Sequence, residues 1–310
     1  MNLVNLKYKL IFLIAMLIVI NSFGQSNTKL SNYEFSPLTY NPSFAGSDDG
    51  LTISSLYTTQ WQGFEGAPET QFFAVHSMVS PQIGVGIDII NDQIGASKET
   101  QILTNFAYKI DINQYWKISM GIKAGFSTYR FDFSSLNIEN PFEINLLSNK
   151  KTSTNFNFGT GFYVYNGQFY LGIGVPNMVI SEFYDNNNDI IAKSTQHYYM
   201  TTGHKFILNN EISFWPTMMF RFAKGAPVSS LVNFNLNWKD QFYTSLNLDP
   251  KASVGGYFGL RIIDKFIIGY SYDTSINNFN NYNSGSHTIF LKVNLNNGFF
   301  GVGPHSSFFR

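Results

Sequence analysis

The chain reads as all-β, an antiparallel up-and-down transmembrane barrel of about 14 strands with both termini on the periplasmic side. Three observations predict this. Segments of alternating apolar and polar residues follow one another from residue 51 to residue 295. Their connections run short, then long, then short again, as antiparallel barrels require. Charged residues are 13% of the sequence and aromatics 17%, where a soluble domain carries about a quarter charged, so much of the surface is expected to face lipid.

The N-terminus carries Lys7 and Lys9, an apolar run over 10–20, and small residues ahead of Gln25. That is a secretory signal peptide over 1–24, with an apolar stretch too short to be a membrane helix. Taking it away leaves 18 basic residues against 20 acidic, a balance that gives nucleic acid no electrostatic footing. No cysteine is present, which excludes both disulfides and an acylated cysteine anchor.

Residues 25–50 read as a polar, irregular periplasmic segment, residues 51–295 as the barrel, and residues 296–310 as a C-terminal tail. Strands are expected over 51–60, 70–79, 83–91, 99–110, 116–129, 154–165 and 168–175. They continue over 197–207, 211–222, 229–238, 242–248, 254–262, 266–273 and 287–295. The clearest stretch sets Trp116, Ile118, Met120, Ile122, Ala124 and Phe126 against Lys117, Ser119, Gly121, Lys123, Gly125 and Ser127. In a membrane barrel the apolar face meets lipid and the polar face the lumen, so Ile122 points outward and Lys123 inward, where changes should be mild.

Tight periplasmic turns are expected at 80–82, 111–115, 166–167, 208–210, 239–241 and 263–265. Long extracellular loops should lie between them, the largest at 131–153 and 176–196. Trp61, Trp116, Trp215, Trp238 and Tyr270, near strand ends, are candidates for interfacial girdles. In the second large loop, Asp185 to Asp189 form a polar tip flanked by Ile180, Phe183, Tyr184, Ile190 and Ile191. Apolar residues exposed outside the lipid belt commonly mark a binding surface, so Phe183, Tyr184, Asp185, Asp189 and Ile190 are candidate partner contacts, with a self-packed loop as the alternative.

Catalytic chemistry finds no foothold. His197 and His204 share a strand, but their spacing of seven puts them on opposite faces; His76, His287 and His305 are scattered. Gly84, Gly86, Gly95, Gly172 and Gly174 have no helix after them to receive a phosphate and read as small lumenal residues. Asp48-Asp49 reads as a turn rather than an acid pair. The expectation is a protein without enzyme activity, cofactor or metal. The lumen should be cationic, with Lys109, Lys117, Lys123, Lys205, Arg221, Arg261 and Lys292 facing Asp88 and Asp273. Those charges are either solvated by lumenal water or paired with loops, or they line an anion path.

Several short stretches are less generic. Asn41-Pro42-Ser43-Phe44-Ala45-Gly46 is followed by Tyr57, Gln60-Trp61, Gly63, Glu65-Gly66-Ala67-Pro68 and Thr70, then by Asn91-Asp92-Gln93-Ile94-Gly95. With 121–125 and 133–137, this order resembles the PorP/SprF family of Bacteroidota type IX secretion and gliding-machinery proteins. The resemblance implies a non-enzymatic outer-membrane component that supports secretion or surface attachment of a partner bearing a C-terminal sorting domain. A diffusion channel or hydrophobic-solute transporter on the same barrel is the alternative. Asn41-Pro42 favours an extended or turn backbone, and Gly46 permits a tight lead into the first strand. The segment therefore either sets strand geometry or forms a fixed plug or periplasmic cap.

Overall fold

The structure is a computed structural model that describes residues 31–48, 50–132, 150–180, 182–184, 190–263 and 265–295. The leader, the tail and most of the 131–153 loop lie outside these residues. The wall is built from β1 (Leu51–Thr59), β2 (Glu69–Ser80), β3 (Ile83–Ile94), β4 (Ser97–Asp111), β5 (Lys117–Asp132), β6 (Lys150–Tyr165) and β7 (Phe169–Val175). After a small hairpin, β8 (Glu182–Tyr184) and β9 (Ile190–Lys193), the wall resumes with β10 (His197–His204), β11 (Phe206–Ile207) and β12 (Ile212–Ala223). It finishes with β13 (Ser229–Trp238), β14 (Phe242–Asp249), β15 (Ser253–Ile262), β16 (Phe266–Ser275) and β17 (Ser286–Leu295).

All wall pairings are antiparallel. Sequence neighbours pair throughout, β10 pairs β7 across the β8–β9 hairpin, and β1 pairs β17, which closes a 14-strand barrel. β10 and β11 are one wall element interrupted at Lys205. Pro216 of β12 lies at that interruption, between Thr217 opposite Gly203 and Phe214 opposite Phe206. Proline has no N–H for a ladder, so the wall breaks where it would otherwise need one.

Outward and inward faces separate cleanly. Ile122 is 50% exposed and Lys123 is 1%, and the same alternation puts Phe234 and Trp238 outside and Asn233, Asn235 and Asn237 inside. Three details depart from the sequence reading. β3 and β4 run on to a hairpin with only Gly95 and Ala96 between them, so connections at the second end are not uniformly long. Gly95 adopts φ +54, which a two-residue turn of this kind needs. β4, β5 and β6 have 15, 16 and 16 residues, more than the roughly ten a tilted membrane strand requires. Trp215, expected in a girdle, packs inward against Tyr243, because its odd position on β12 matches Thr217 and Met219. Trp238 does face outward, stacked on Phe242.

Residues 31–48 decide among the alternatives for the lead-in: strand geometry, cap or plug. They sit inside the barrel, not below it, and supply Tyr33, Phe35, Leu38, Tyr40, Phe44 and Ala45 to the buried core.

Candidate functional site

The plug is three single turns of 3-10 helix, Tyr33–Phe35, Pro37–Thr39 and Pro42–Phe44. The two prolines stand at first helical positions, where their fixed φ costs no hydrogen bond. Asn41 caps the third turn: its side-chain oxygen accepts from Ser43 N at 3.0 Å and from Ser43 Oγ. Its amide nitrogen donates outward to Phe162 O of β6 at 3.1 Å. One residue therefore both shapes the turn and fastens it to the wall.

Lumenal glycines provide the room. A Cβ on Gly84 would collide with the Ala45 carbonyl, one on Gly121 with the Pro42–Ser43 peptide, one on Gly161 with the Asn41 side chain, and one on Gly174 with the Tyr40 carbonyl. Across the lumen, Gly259 and Gly269 accommodate the Phe290 ring, on which Phe35 stacks at 4.0 Å. Phe44 packs on Tyr163 at 4.2 Å. Gly46, at φ +64, turns the chain toward β1 where Met78 and Gly84 leave no space for a side chain.

Polar groups of plug and wall are matched rather than merely adjacent. Lys123 Nζ donates to Leu38 O at 2.7 Å, Ser119 Oγ to Ser43 O at 2.8 Å, and Lys109 Nζ to Gly46 O. Glu34 is fully enclosed and accepts from Thr217 Oγ1 at 2.7 Å and from the amides of Asn233 and Asn235 at 2.8 and 3.2 Å, while Tyr33 donates to Thr217. Burial raises the Glu34 carboxyl above its ordinary range, and these hydrogen bonds oppose that rise. Asp48 meets Lys292 Nζ at 2.8 Å and His76 at 3.8 Å. Burial would lift its carboxyl too, but the adjoining Lys292 ammonium prevails and holds it low. Buried polar groups demand such partners, since an unmet one costs about 1–3 kcal/mol.

The expected cationic lumen is thus a set of sockets. Lys123 also pairs with the buried Asp88 at 3.4 Å, and Arg261 pairs with Asp240 at 2.5 Å beside the Tyr243 ring. Lys109, Lys123 and Lys292 hold plug carbonyls or buried acids and Arg261 pairs with the 239–241 turn, which is the loop-paired alternative rather than an anion path.

The other motif residues gather at the opposite end of the barrel from the short turns. Gln60 N donates to Pro68 O at 2.9 Å and closes the β1–β2 loop; Gly63 and Gly66 turn it at φ +92 and +71. Gln62 exchanges backbone bonds with Gly285 O and Ser284 N, tying the loop to the β16–β17 connection. Gly95 N donates to Gly66 O at 3.0 Å, so the two motif stretches meet. Asp92 accepts from Thr70 at 2.5 Å and Asn91 from Thr100 at 2.9 Å. Trp61 is held at φ +49, unfavourable for a bulky residue. Of the candidate partner contacts, Phe183, Tyr184 and Ile190 fall in β8 and β9, with Tyr184 opposite Ile190; Asp185 and Asp189 lie outside the described residues.

The type IX secretion system membrane protein PorP/SprF family matches residues 22–293, nearly the whole chain. The chain belongs to this family. It is therefore an outer-membrane β-barrel component of a type IX secretion system. No curated protein matches it. Among solved structures, the chain is similar to the toluene transporter TbuX of Ralstonia pickettii, at 8% identity and TM-score 0.52, over 84% of this chain and 93% of that one. It is also similar to the CymD monoaromatic hydrocarbon channel, at 9% identity and TM-score 0.50, over 84% and 92%. At such identities the likeness concerns the fold alone.

In this PorP/SprF barrel the structure divides the motif residues between two places. Asn41, Pro42 and Gly46 belong to the plug; Gln60, Trp61, Gly63, Gly66, Pro68, Asn91, Asp92 and Gly95 belong to the far mouth. Sequence reasoning passed over Glu34, Phe35 and Leu38, and read Asp48 as a turn residue without its Lys292 partner. Their signal was there: four large apolar or aromatic residues, Phe35, Leu38, Tyr40 and Phe44, in a segment with no strand period need a core to enter.

Proposed function

We propose that the chain is a non-enzymatic anchor for a type IX-secreted surface protein, with its barrel closed by its own N-terminal segment rather than serving as an open conduit. The observation that carries this reading is the plug: residues 33–45 are buried except for the half-buried Thr39, and they bond to the wall through named side chains. A diffusion channel would have to expel it. In this reading the short turns and both termini face the periplasm, where the secretion and gliding machinery would be met. The longer connections face outward and receive a partner with a C-terminal sorting domain. The β8–β9 hairpin with its 185–189 tip, and the stapled 60–68 loop, supply the contact surface.

Bilayer conductance of the purified protein, measured beside co-purification under gentle detergent extraction, tests the proposal. A closed barrel that brings a surface protein with it is expected. A large, stable open-channel current with no co-purifying protein would establish the transporter reading instead.

A further inference from the structure

The outer face of β3 to β6 is graded in a way that a bare lipid belt does not require. Outward positions on β5 run from Ile118 through Met120, Ile122 and Ala124 to Phe126, about the span a tilted strand needs to cross hydrocarbon. Phe126 stands in a row with Ile102 and Phe156, all exposed. The next row out is hydroxyl and amide: Thr100 bonds Asn91 at 2.9 Å, and Thr128 bonds Thr154 at 3.0 Å.

Above it, Lys98 and Arg130 stand directly opposite each other on β4 and β5, both exposed, with Gln93 and Thr152 on either side. No hydrogen bond or ion pair joins either cation to another described residue, and the nearest outward acid along β5 is Asp132. Directly opposed like charges on neighbouring strands repel unless an anion lies between them. Their height, one polar row beyond the apolar belt, is that of lipid headgroups.

We propose that Lys98 and Arg130 bind the phosphate of an anionic membrane lipid, one whose headgroup carries no compensating cation, in the leaflet at the far end from the short turns. The Thr100, Thr128 and Thr154 row receives the lipid's polar backbone, and Ile102, Phe126 and Phe156 receive its chains. A guanidinium and an ammonium across about 5 Å suit a tetrahedral phosphate, the first by paired donors and the second as a point charge. The proposal does not depend on the plug or on any secreted partner.

Native mass spectrometry of the full chain released from detergent, with phosphatidylglycerol or phosphatidylcholine as the added lipid, tests it. The wild type should retain phosphatidylglycerol and not phosphatidylcholine. The double variant Lys98→Gln/Arg130→Gln should retain on the order of thirtyfold less, from about 1 kcal/mol for each cation. Lys265→Gln, at the short-turn end, should behave as the wild type. Both substituted side chains are exposed, so the variants should keep the heat-modifiable migration of a folded barrel. Equal retention by the double variant, equal loss in Lys265→Gln, or indifference to the headgroup would overturn the site. Displacement of the lipid by inorganic phosphate at matched concentration would overturn a lipid occupant in favour of a free anion.

Discussion

Lys123, at the middle of β5, donates its ammonium to the backbone carbonyl of Leu38 at 2.7 Å, so a wall residue holds the plug by its main chain. The same ammonium lies 3.4 Å from Asp88, and both side chains are wholly buried. Read from sequence as a lumenal residue, Lys123 should tolerate replacement; its surroundings say otherwise. Lys123→Ala strands the Asp88 carboxylate and should cost about 3–5 kcal/mol, whereas Lys123→Met with Asp88→Asn should recover most of that. Ile122→Arg, one position away and facing lipid, should cost roughly 2–4 kcal/mol by a different mechanism, charge at the bilayer midplane. Urea titration of folding into lipid vesicles measures all three, and a Lys123→Ala barrel as stable as the wild type would remove the socket interpretation.

Gly161 makes the plug testable apart from the wall. A valine there would drive its Cβ into the Asn41 side chain, while the flanking ladder to Gly121 and Gly174 can persist. Gly161→Val should therefore give a barrel that still inserts, with residues 31–48 open to added protease and a raised bilayer current. Gly167→Ala, in a turn where a Cβ meets nothing, should be silent. Protection of the plug in Gly161→Val would show that the barrel wall, not the plug, gives way.

Acid should loosen the end of the plug nearest β1. The folded Asp48 carboxyl is held below its ordinary value, so its stabilising contribution is complete above about pH 4 and is lost as pH falls through the folded value. Glu34, raised by burial, runs the other way and favours docking as pH falls. The difference between the wild type and Asp48→Asn reports the first effect, for Asp48 together with its contacts Lys292 and His76. That difference in plug protection should be constant from about pH 5 upward and shrink below pH 4. A difference that does not vary over this range would mean that Asp48 and Lys292 do not act as a charged pair.

Barrel and facing were legible because a period of two leaves its mark on every strand: the Ile118 to Phe126 alternation and the Asn233, Asn235, Asn237 set need no tertiary information. The plug was legible only as one alternative for the Asn41 to Gly46 stretch, since three single turns, the third capped by Asn41, have no period, and their residues make sense only against wall glycines spread from Gly84 to Gly174. Trp215 was misplaced for a related reason: proximity to a strand end suggested a girdle, but parity along β12 decides its face. The mouth motif was visible as residue types. Its wiring, Gly95 to Gly66 and Gln62 to Gly285, runs through backbone groups that carry no sequence signature.

The partner surface is the expectation furthest from the wall, and it can be removed without touching it. Among the described residues β8 and β9 pair only with each other, while β7 and β10 pair with one another and complete the barrel. Replacing 181–191 with a brief Gly/Ser turn should therefore leave a heat-modifiable barrel in the outer membrane, because loop length contributes only weakly to closure entropy. If Phe183, Tyr184 and Ile190 anchor the secreted protein, cells carrying the shortened loop should release it to the medium while the barrel remains in place. A tag near Asn187 should first be shown to label on intact cells, and one between Asn166 and Gly167 should not. Undiminished surface display by a correctly inserted, shortened variant would move the contact away from the hairpin, to the 60–68 loop stapled against the β16–β17 connection.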